Sequence, residues 1–598
     1  MKTGHLRLVI GAVALALLSG TVPAGAQKPE LKTLNGVKRL FWHGNPFLML
    51  SGELHNSTAS TAEYLAPAMA AAKAMHLNSL IVTAEWDLVE PEEGKYDFSS
   101  IDTIISLAEK NNLPVVIAWF GTWKNGVSSY IPGWMKRDDK KYFRMRDDQG
   151  EATDYVSAFC MAARDADAKA FAALMRYIRE RDTRQMVLFM QVENETGLWQ
   201  QSIDHSSQAL NAYNRSVPSE LIRFLESRES TLDTPMKDKW VENGRRTKGT
   251  WKEVFGDNLF TEAFFMQWAY ASYIEKVAAA GKAEYDIPMY LNTVAMPTGG
   301  FTINPGLTQG SAPQTGQTGL PKPDSPSAGG GNPFGSRSPL FPSGAPIYSA
   351  IDMYKVFCPS IDFCSPDIYV PAFKNVSDAY TRTDNPLFVP ETGRNAAPAY
   401  YTLAHNNGIG FSAFAIEDAF LDKEYVGTYR TLEELLPLIS RYQGTGLMDG
   451  FLREGQETES SFELDGFRVD VRYISGEKAA YGLVIKTGPE TFVLSGVGAL
   501  VTISRLDDRK VTRYEWVEEG RFGEDGWIAE VRLNGDQTSH GQEVYLRGRI
   551  SYDDRVEPAE GEVFPHRNVA SNEARQAVVT SRLKAPSIYQ VKVYSYNK

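Results

Sequence analysis

Between residues 40 and 418 the chain alternates short apolar runs with longer amphipathic segments, and this rhythm limits the fold more than any other feature. Apolar runs cover 47–53, 79–85, 113–119, 186–193, 287–292, 361–367, 386–391 and 410–415, and helical patterns cover 61–75, 100–110, 166–180 and 261–280. Near-continuous apolar runs suit strands buried on both faces, as in parallel sheets covered by helices. Strands alternating with helices imply right-handed βαβ units, and eight such units imply closure into a ring. The expected fold class is α/β: a (β/α)8 TIM barrel at 27–445, followed by an all-β domain at 446–598. That second region begins after a helical pattern at 432–442, where period-two alternation and turn residues take over, as at 462–471, 481–485, 499–503 and 588–593. Such texture reads as a β-sandwich or jelly roll, either supporting the barrel or binding carbohydrate.

Two further stretches punctuate this plan. Residues 297–346 are dense in Gly, Pro, Ser and Thr and read as a long loop after the fifth strand, a lid or a surface excursion. At the N-terminus, Lys2, His5 and Arg7 precede the apolar run 8–18, and Ala24-Gly25-Ala26 offers a small-x-small cleavage site. Residues 1–26 therefore read as a signal peptide, too short in its apolar part for a permanent anchor, and imply a periplasmic or secreted protein. Only Cys160, Cys358 and Cys364 are present, so disulfides do not frame the fold, though Cys358 and Cys364 lie close enough in sequence to pair.

Charge and motif content remove several function classes. The formal net charge is −12 and no basic run marks a nucleic-acid or anionic-membrane footprint, so neither partner is expected. The 8 His fall in no metal-ligand spacing, and no G-x-S-x-G elbow, P-loop or G-x-G-x-x-G follows a strand. Neither metal nor cofactor is expected.

What remains stands at the carboxyl ends of the expected strands, where parallel α/β folds place their chemistry. These positions hold Glu53 and His55, Glu85 and Trp86, Trp119, then Glu193, Asn194 and Glu195, then Asn292, Asp367, Tyr369, Glu391 and Glu417. The alternative for 193–195 is a helix N-cap. Paired carboxylates with aromatic walls suit glycoside hydrolysis, which needs one proton donor and one carboxylate acting at the anomeric carbon. Glu195 on the fourth strand and Glu391 on the seventh would face each other across a barrel mouth. Glu195 is expected as acid and then base, with its pKa raised by the charge of Glu391, the nucleophile. Asn194 is a candidate partner for a sugar 2-hydroxyl, and Tyr369 for steadying Glu391. Each further binding candidate has a plainer reading: Glu53 as an ion pair, Trp86 as a core plug, Trp119 as packing, Glu193 as a brace, Asn292 as a cap. Glu85 is expected to line the sugar pocket with Trp86.

The stretch Gln191-Val192-Glu193-Asn194-Glu195-Thr196-Gly197 resembles the acid/base motif of family 35 glycoside hydrolases, the β-galactosidases of the large retaining (β/α)8 clan. Residues 85–98, from Glu85-Trp86-Asp87 through Glu90-Pro91 to Tyr96-Asp97-Phe98, are similar to that family's W-N-x-H-E-P-x-x-G-x-Y-D-F segment. Ser51-Gly52-Glu53-Leu54-His55 is similar to its first-strand signature. The resemblance implies a retaining exo-β-galactosidase with Glu195 as acid/base and Glu391 as nucleophile. The two-domain layout is similar to a bacterial branch of the family, some members of which remove galactose from xyloglucan side chains. Asn56, Asp87 and Val89 depart from the family's residues, as does the context of Glu391, so another sugar (glucose, mannose, arabinose) or a non-catalytic carbohydrate-binding role stays open.

Overall fold

The computed structural model describes residues 27–598 except 200, 233, 297–340, 524–525 and 549–584. The signal-peptide expectation, and the loop expectation except at 341–346, lie outside the described residues.

Eight parallel strands carry the first part of the chain: β1 Met49–Leu50, β2 Leu80–Glu85, β3 Val115–Lys124, β4 Val187–Asn194, β5 Met289–Val294, β6 Phe363–Asp367, β7 Phe388–Val389 and β8 Gly410–Phe411. They form a five-stranded sheet, β6-β5-β4-β3-β2, and a three-stranded sheet, β7-β8-β1. Short parallel contacts join the two at both edges. On one side Leu54 N–H donates to Ile81 O at 3.1 Å, and on the other Ile368 N–H donates to Glu391 O at 2.8 Å. Helices α1 Ala62–Ala74, α2 Ser99–Asn111, α3 Met161–Arg181 and α4 Leu259–Glu284 lie between strands, as their apolar periodicity requires.

The strands sort their side chains by period two. Met49, Ile81, Val116, Ala118, Phe120, Phe189, Tyr290, Phe363 and Phe388 form one apolar cluster, while Leu80, Val82, Val115, Ile117, Trp119, Val187 and Val192 join a second with the helices. Within the first cluster Phe189 meets Tyr290, Phe363 and Phe388 edge-on, with ring centroids 5.4–5.8 Å apart.

Several element boundaries differ from the sequence expectation. The first, seventh and eighth strands shrink to two residues each, because loop and bridge contacts replace regular pairing beyond them. The third runs on to Lys124 instead of ending at Trp119. The polar stretch after β4 folds into short helices, one of them closed by a Thr250–Glu253 capping box.

From Met448 the described residues form strands, apart from one 3-10 turn at Gly535–Thr538. The strands are β9 Met448–Leu452, β10 Glu459–Leu464, β11 Phe467–Tyr473, β12 Tyr481–Lys486, β13 Thr491–Arg505, β14 Lys510–Gly523, β15 Gly526–Leu533, β16 Val544–Arg547 and β17 Ser587–Asn597. The alternating run at 462–471 is a hairpin turned at Asp465 and Gly466, both at positive φ (39° and 81°), as a two-residue turn requires. Hydrogen bonds join all nine strands into one sheet. Strand β13 makes this possible: its first part pairs with β12 and β17, its second with β11 and β16, with a register shift between Val497 and Ala499. One face of this sheet packs on the parallel part. Tyr481, Leu483, Ile485, Val493 and Ile588 share a cluster with Leu432, Leu435 and Ile439 of helix α5 (Lys423–Tyr442). Cys160, Cys358 and Cys364 are buried free thiols.

Candidate functional site

Strand β4 ends in a backbone that leaves the extended region twice. Glu193 has φ 63° and Glu195 φ 45°, left-handed values that cost a non-glycine residue about 1–3 kcal/mol unless its surroundings hold it. Both are held. Glu195 N–H donates to Asn292 Oδ1 at 3.0 Å, and the Glu193 carboxyl accepts from Thr122 N–H at 3.2 Å and Trp123 N–H at 2.7 Å. The two kinks separate the side chains: Glu195 joins the inner carboxyls, whereas Glu193 turns back toward β3.

The carboxyl groups of Glu195, Asp367 and Glu391 each place an oxygen within 4.8 Å of the others. Asn292, facing inward from β5, ties them together. Its Nδ2 donates toward Asp367 Oδ2 at 2.8 Å, Asn194 Oδ1 at 3.1 Å and Glu391 Oε1 at 3.2 Å. Tyr369 donates its phenolic hydrogen to Glu391 Oε2 at 2.8 Å. Asn125 Nδ2 donates to Glu195 Oε2. Glu53 lies beside the cluster, 1% exposed, and among the described residues neither of its carboxyl oxygens has a hydrogen-bond partner. A cation would suit the oxygen spacing of the three carboxyls, but donors from Asn292, Tyr369 and Asn125 already address those oxygens, and Lys124 supplies positive charge nearby.

Protonation follows from burial. Glu195 is 4% exposed, and burial together with the charge of Glu391 pushes its pKa up to about 7. Burial also raises Glu391, but Lys124, Tyr369 and Asn292 each favour its ionised form. Asp367 and Glu53 lie well above the carboxylate range, by burial first and then by the charge of Glu391. The environment thus separates a proton-holding Glu195 from a Glu391 whose neighbours stabilise negative charge, the division of labour that acid–nucleophile catalysis needs.

The other expected residues fall into two groups. Asn194 is buried in the cluster; its Oδ1 accepts from Gln191 Nε2 at 2.8 Å, while its Nδ2 has no partner among the described residues. Glu85 is part-buried at the end of β2, and burial with Asp87 nearby brings its pKa to about 7. Trp86, Trp119 and Glu193 instead face protein partners. None has exposed surface. Trp86 donates its indole N–H to Glu90 Oε2 and Trp119 donates to Asp167 Oδ1, both at 2.9 Å. Period-two alternation explains Trp119: Ala118 and Phe120 face inward, so Trp119 packs under the helices, and Trp86, which opens the short helix Trp86–Val89, joins the same helix-side cluster. Neither offers a face for sugar stacking. His55 is exposed and lies 3.3 Å from Asp418, and Glu417 accepts from His55 N–H at 3.0 Å.

Lys124 and Asn125 had no role in the sequence reading, and Asp367 was noted only as a strand-end carboxylate. Asp367 had a signal in its position. Lys124 and Asn125 had little, because they follow the expected end of the third strand.

The family profile described as Glycosyl hydrolases family 35 matches residues 39–264, and one described as a domain of unknown function, DUF5597, matches 425–545. A β-galactosidase of Xanthomonas manihotis is 28% identical over 215 residues, covering 34% of this chain and 33% of that protein. β-Galactosidase 13 of Arabidopsis thaliana is 27% identical over 162 residues, covering 24% and 19%. The chain thus spans about a third or less of the length of these curated relatives. Among solved structures, a β-galactosidase from Rahnella sp. R3 aligns with TM-score 0.42 at 15% identity, covering 66% of this chain and 57% of that one. Another, from Marinomonas ef1, aligns with TM-score 0.43 at 11% identity, covering 66% and 62%.

Proposed function

We propose that the chain is a member of glycoside hydrolase family 35, whose profile matches residues 39–264, and that it is a retaining exo-β-galactosidase built on a closed (β/α)8 barrel. The observation that carries the mechanism is the approach of a Glu195 carboxyl oxygen to within 4.8 Å of one of Glu391, a closeness that favours direct attack by Glu391 over attack by an interposed water. Glu195 gives its proton to the glycosidic oxygen as that bond breaks, while a Glu391 carboxylate oxygen bonds to the anomeric carbon. In the second half, Glu195 takes a proton from water as the water displaces Glu391 and frees the sugar. The partnerless Nδ2 of Asn194 is suited to the sugar 2-hydroxyl, and the unpaired carboxyl of Glu53 to another hydroxyl. The edge contacts between the two parallel sheets support the reading of a barrel. The division at 27–445 and 446–598, periplasmic or secreted placement, and plant polysaccharide side chains such as those of xyloglucan as substrate complete the proposal.

Glu195→Gln and Glu391→Gln are each expected to lower kcat/KM on phenyl β-galactoside by about 10²–10⁴-fold. Azide added to Glu391→Gly is expected to restore turnover as the inverted glycosyl azide. Unchanged activity in either Gln variant would remove that residue from its role. The departures at Asn56, Asp87 and Val89 favour a second reading with a different sugar, which a panel of aryl glycosides separates. Galactoside binding without any turnover would instead make the chain a lectin-like barrel.

A further inference from the structure

A second pair of carboxyls, used by no step above, lies behind the acid/base strand. Asp167 on α3 and Glu193 on β4 are both fully buried and lie close enough for each to shift the other's protonation, burial raising both. Among the described residues, neutral donors face them. Asp167 accepts from the Trp119 indole at 2.9 Å and the Thr122 hydroxyl at 2.7 Å, and Glu193 accepts from the Thr122 and Trp123 amides. The Thr122 hydroxyl also shares a hydrogen bond with Tyr273 at 2.8 Å.

These donors belong to a bulge. Trp119 stands opposite Val192 and Lys124 opposite Asn194, so β3 advances five residues while β4 advances two. The extra residues cannot pair in the ladder, and Glu193 takes two of their free amides. Immediately after the bulge come Lys124, whose charge acts on Glu53, Glu195 and Glu391, and Asn125, which donates to Glu195 from its side chain and to Asn194 O from its amide at 3.1 Å.

We propose that Asp167 and Glu193 are positioning residues: together they clamp the β3 bulge, and the clamp sets where Lys124 and Asn125 stand against the acid/base Glu195. This rests on the reading of Glu195 given above. Both clamped groups favour the ionised form of Glu195, Lys124 by charge and Asn125 by donation. Loosening the bulge withdraws that support, so the pKa of Glu195 rises.

The test follows the infrared carbonyl band of protonated Glu195, assigned by its loss in Glu195→Gln, against pH; it needs no turnover. In Glu193→Gln and Asp167→Asn the midpoint is expected to move to higher pH, as it does in Asn125→Ala, and Glu193→Gln combined with Asn125→Ala moves it no further. On phenyl β-galactoside, kcat is expected to fall roughly 10–100-fold with KM nearly unchanged, and the alkaline limb of the rate profile follows the band. A folded Glu193→Gln or Asp167→Asn whose midpoint stays put or moves down overturns the clamp. Should both carboxyl variants fail to fold, Thr122→Val removes one hydroxyl at similar volume, with the same expected shift and the same refuting result. Absence of turnover in the unaltered protein would refute the glycosidase reading, and the infrared midpoint would still decide the clamp.

Discussion

At the scale of single residues the site is a problem of charge. Glu53, Glu195, Asp367 and Glu391 are buried around Lys124, and burying ionised carboxylates without partners is costly enough that several stay protonated. Catalysis needs Glu195 protonated, so hydrolysis of phenyl β-galactoside is expected to fall as pH rises through about 7, the value to which burial and Glu391 push it. The acidic limb reports Glu391, which must be ionised. A pH series of kcat/KM checks both; an alkaline limb well below 6 would contradict the assignment. Glu53 gives a stability prediction. Unfolded, it ionises above about pH 4.3; folded, burial keeps it protonated to much higher pH. Its contribution is therefore fully present below the unfolded value and is lost as pH rises toward the folded one. Glu53→Gln does not titrate, so its Tm should exceed that of the unaltered protein by about 1–3 °C at pH 8 and match it near pH 4. Thermal melts at the two pH values decide it.

At the scale of elements, the β3 bulge converts an ordinary strand into the support for a site. Gly121 sits inside it, where an added Cβ would collide with the Trp119 indole nitrogen and lie 2.9 Å from Glu193 Oε1. Gly121→Ala is expected to cost about 1–3 kcal/mol in urea unfolding and to lower activity with it, because the atoms in the way are packed on every side. The apolar part of this strand was legible at 113–119 because buried parallel strands are continuously apolar. The bulge was not. Gly121-Thr122-Trp123-Lys124 carries no strand pattern, and of these four only Lys124 pairs with β4. Trp119 shows the other limit: its residue type suggested a sugar platform, but alternation with Ala118 and Phe120 turns it toward the helices.

At the scale of the molecule, the all-β region is structurally joined to the parallel part. Tyr400 and Ser495 share a hydrogen bond at 3.0 Å and Thr428 and Tyr481 one at 3.1 Å, across an apolar seam that includes Leu483, Ile485, Val493 and Ile588. Residues 27–445 expressed alone would expose the helix α5 side of that seam, and the fragment is expected to aggregate; a soluble monomer on size-exclusion chromatography would count against this. The sequence by itself determined the strand–helix rhythm, the change to all-β texture and the carboxylates at the strand ends, because period two, period 3.6 and residue chemistry are written locally. It pointed to Glu195 and Glu391 for the same reason. Only the tertiary structure decided that Asn292 ties the cluster together, that Asp367 and Lys124 belong to it, and that Glu193 faces Asp167. Those residues meet through sheet register, a bulge and two left-handed kinks, and each depends on strands far apart in the chain.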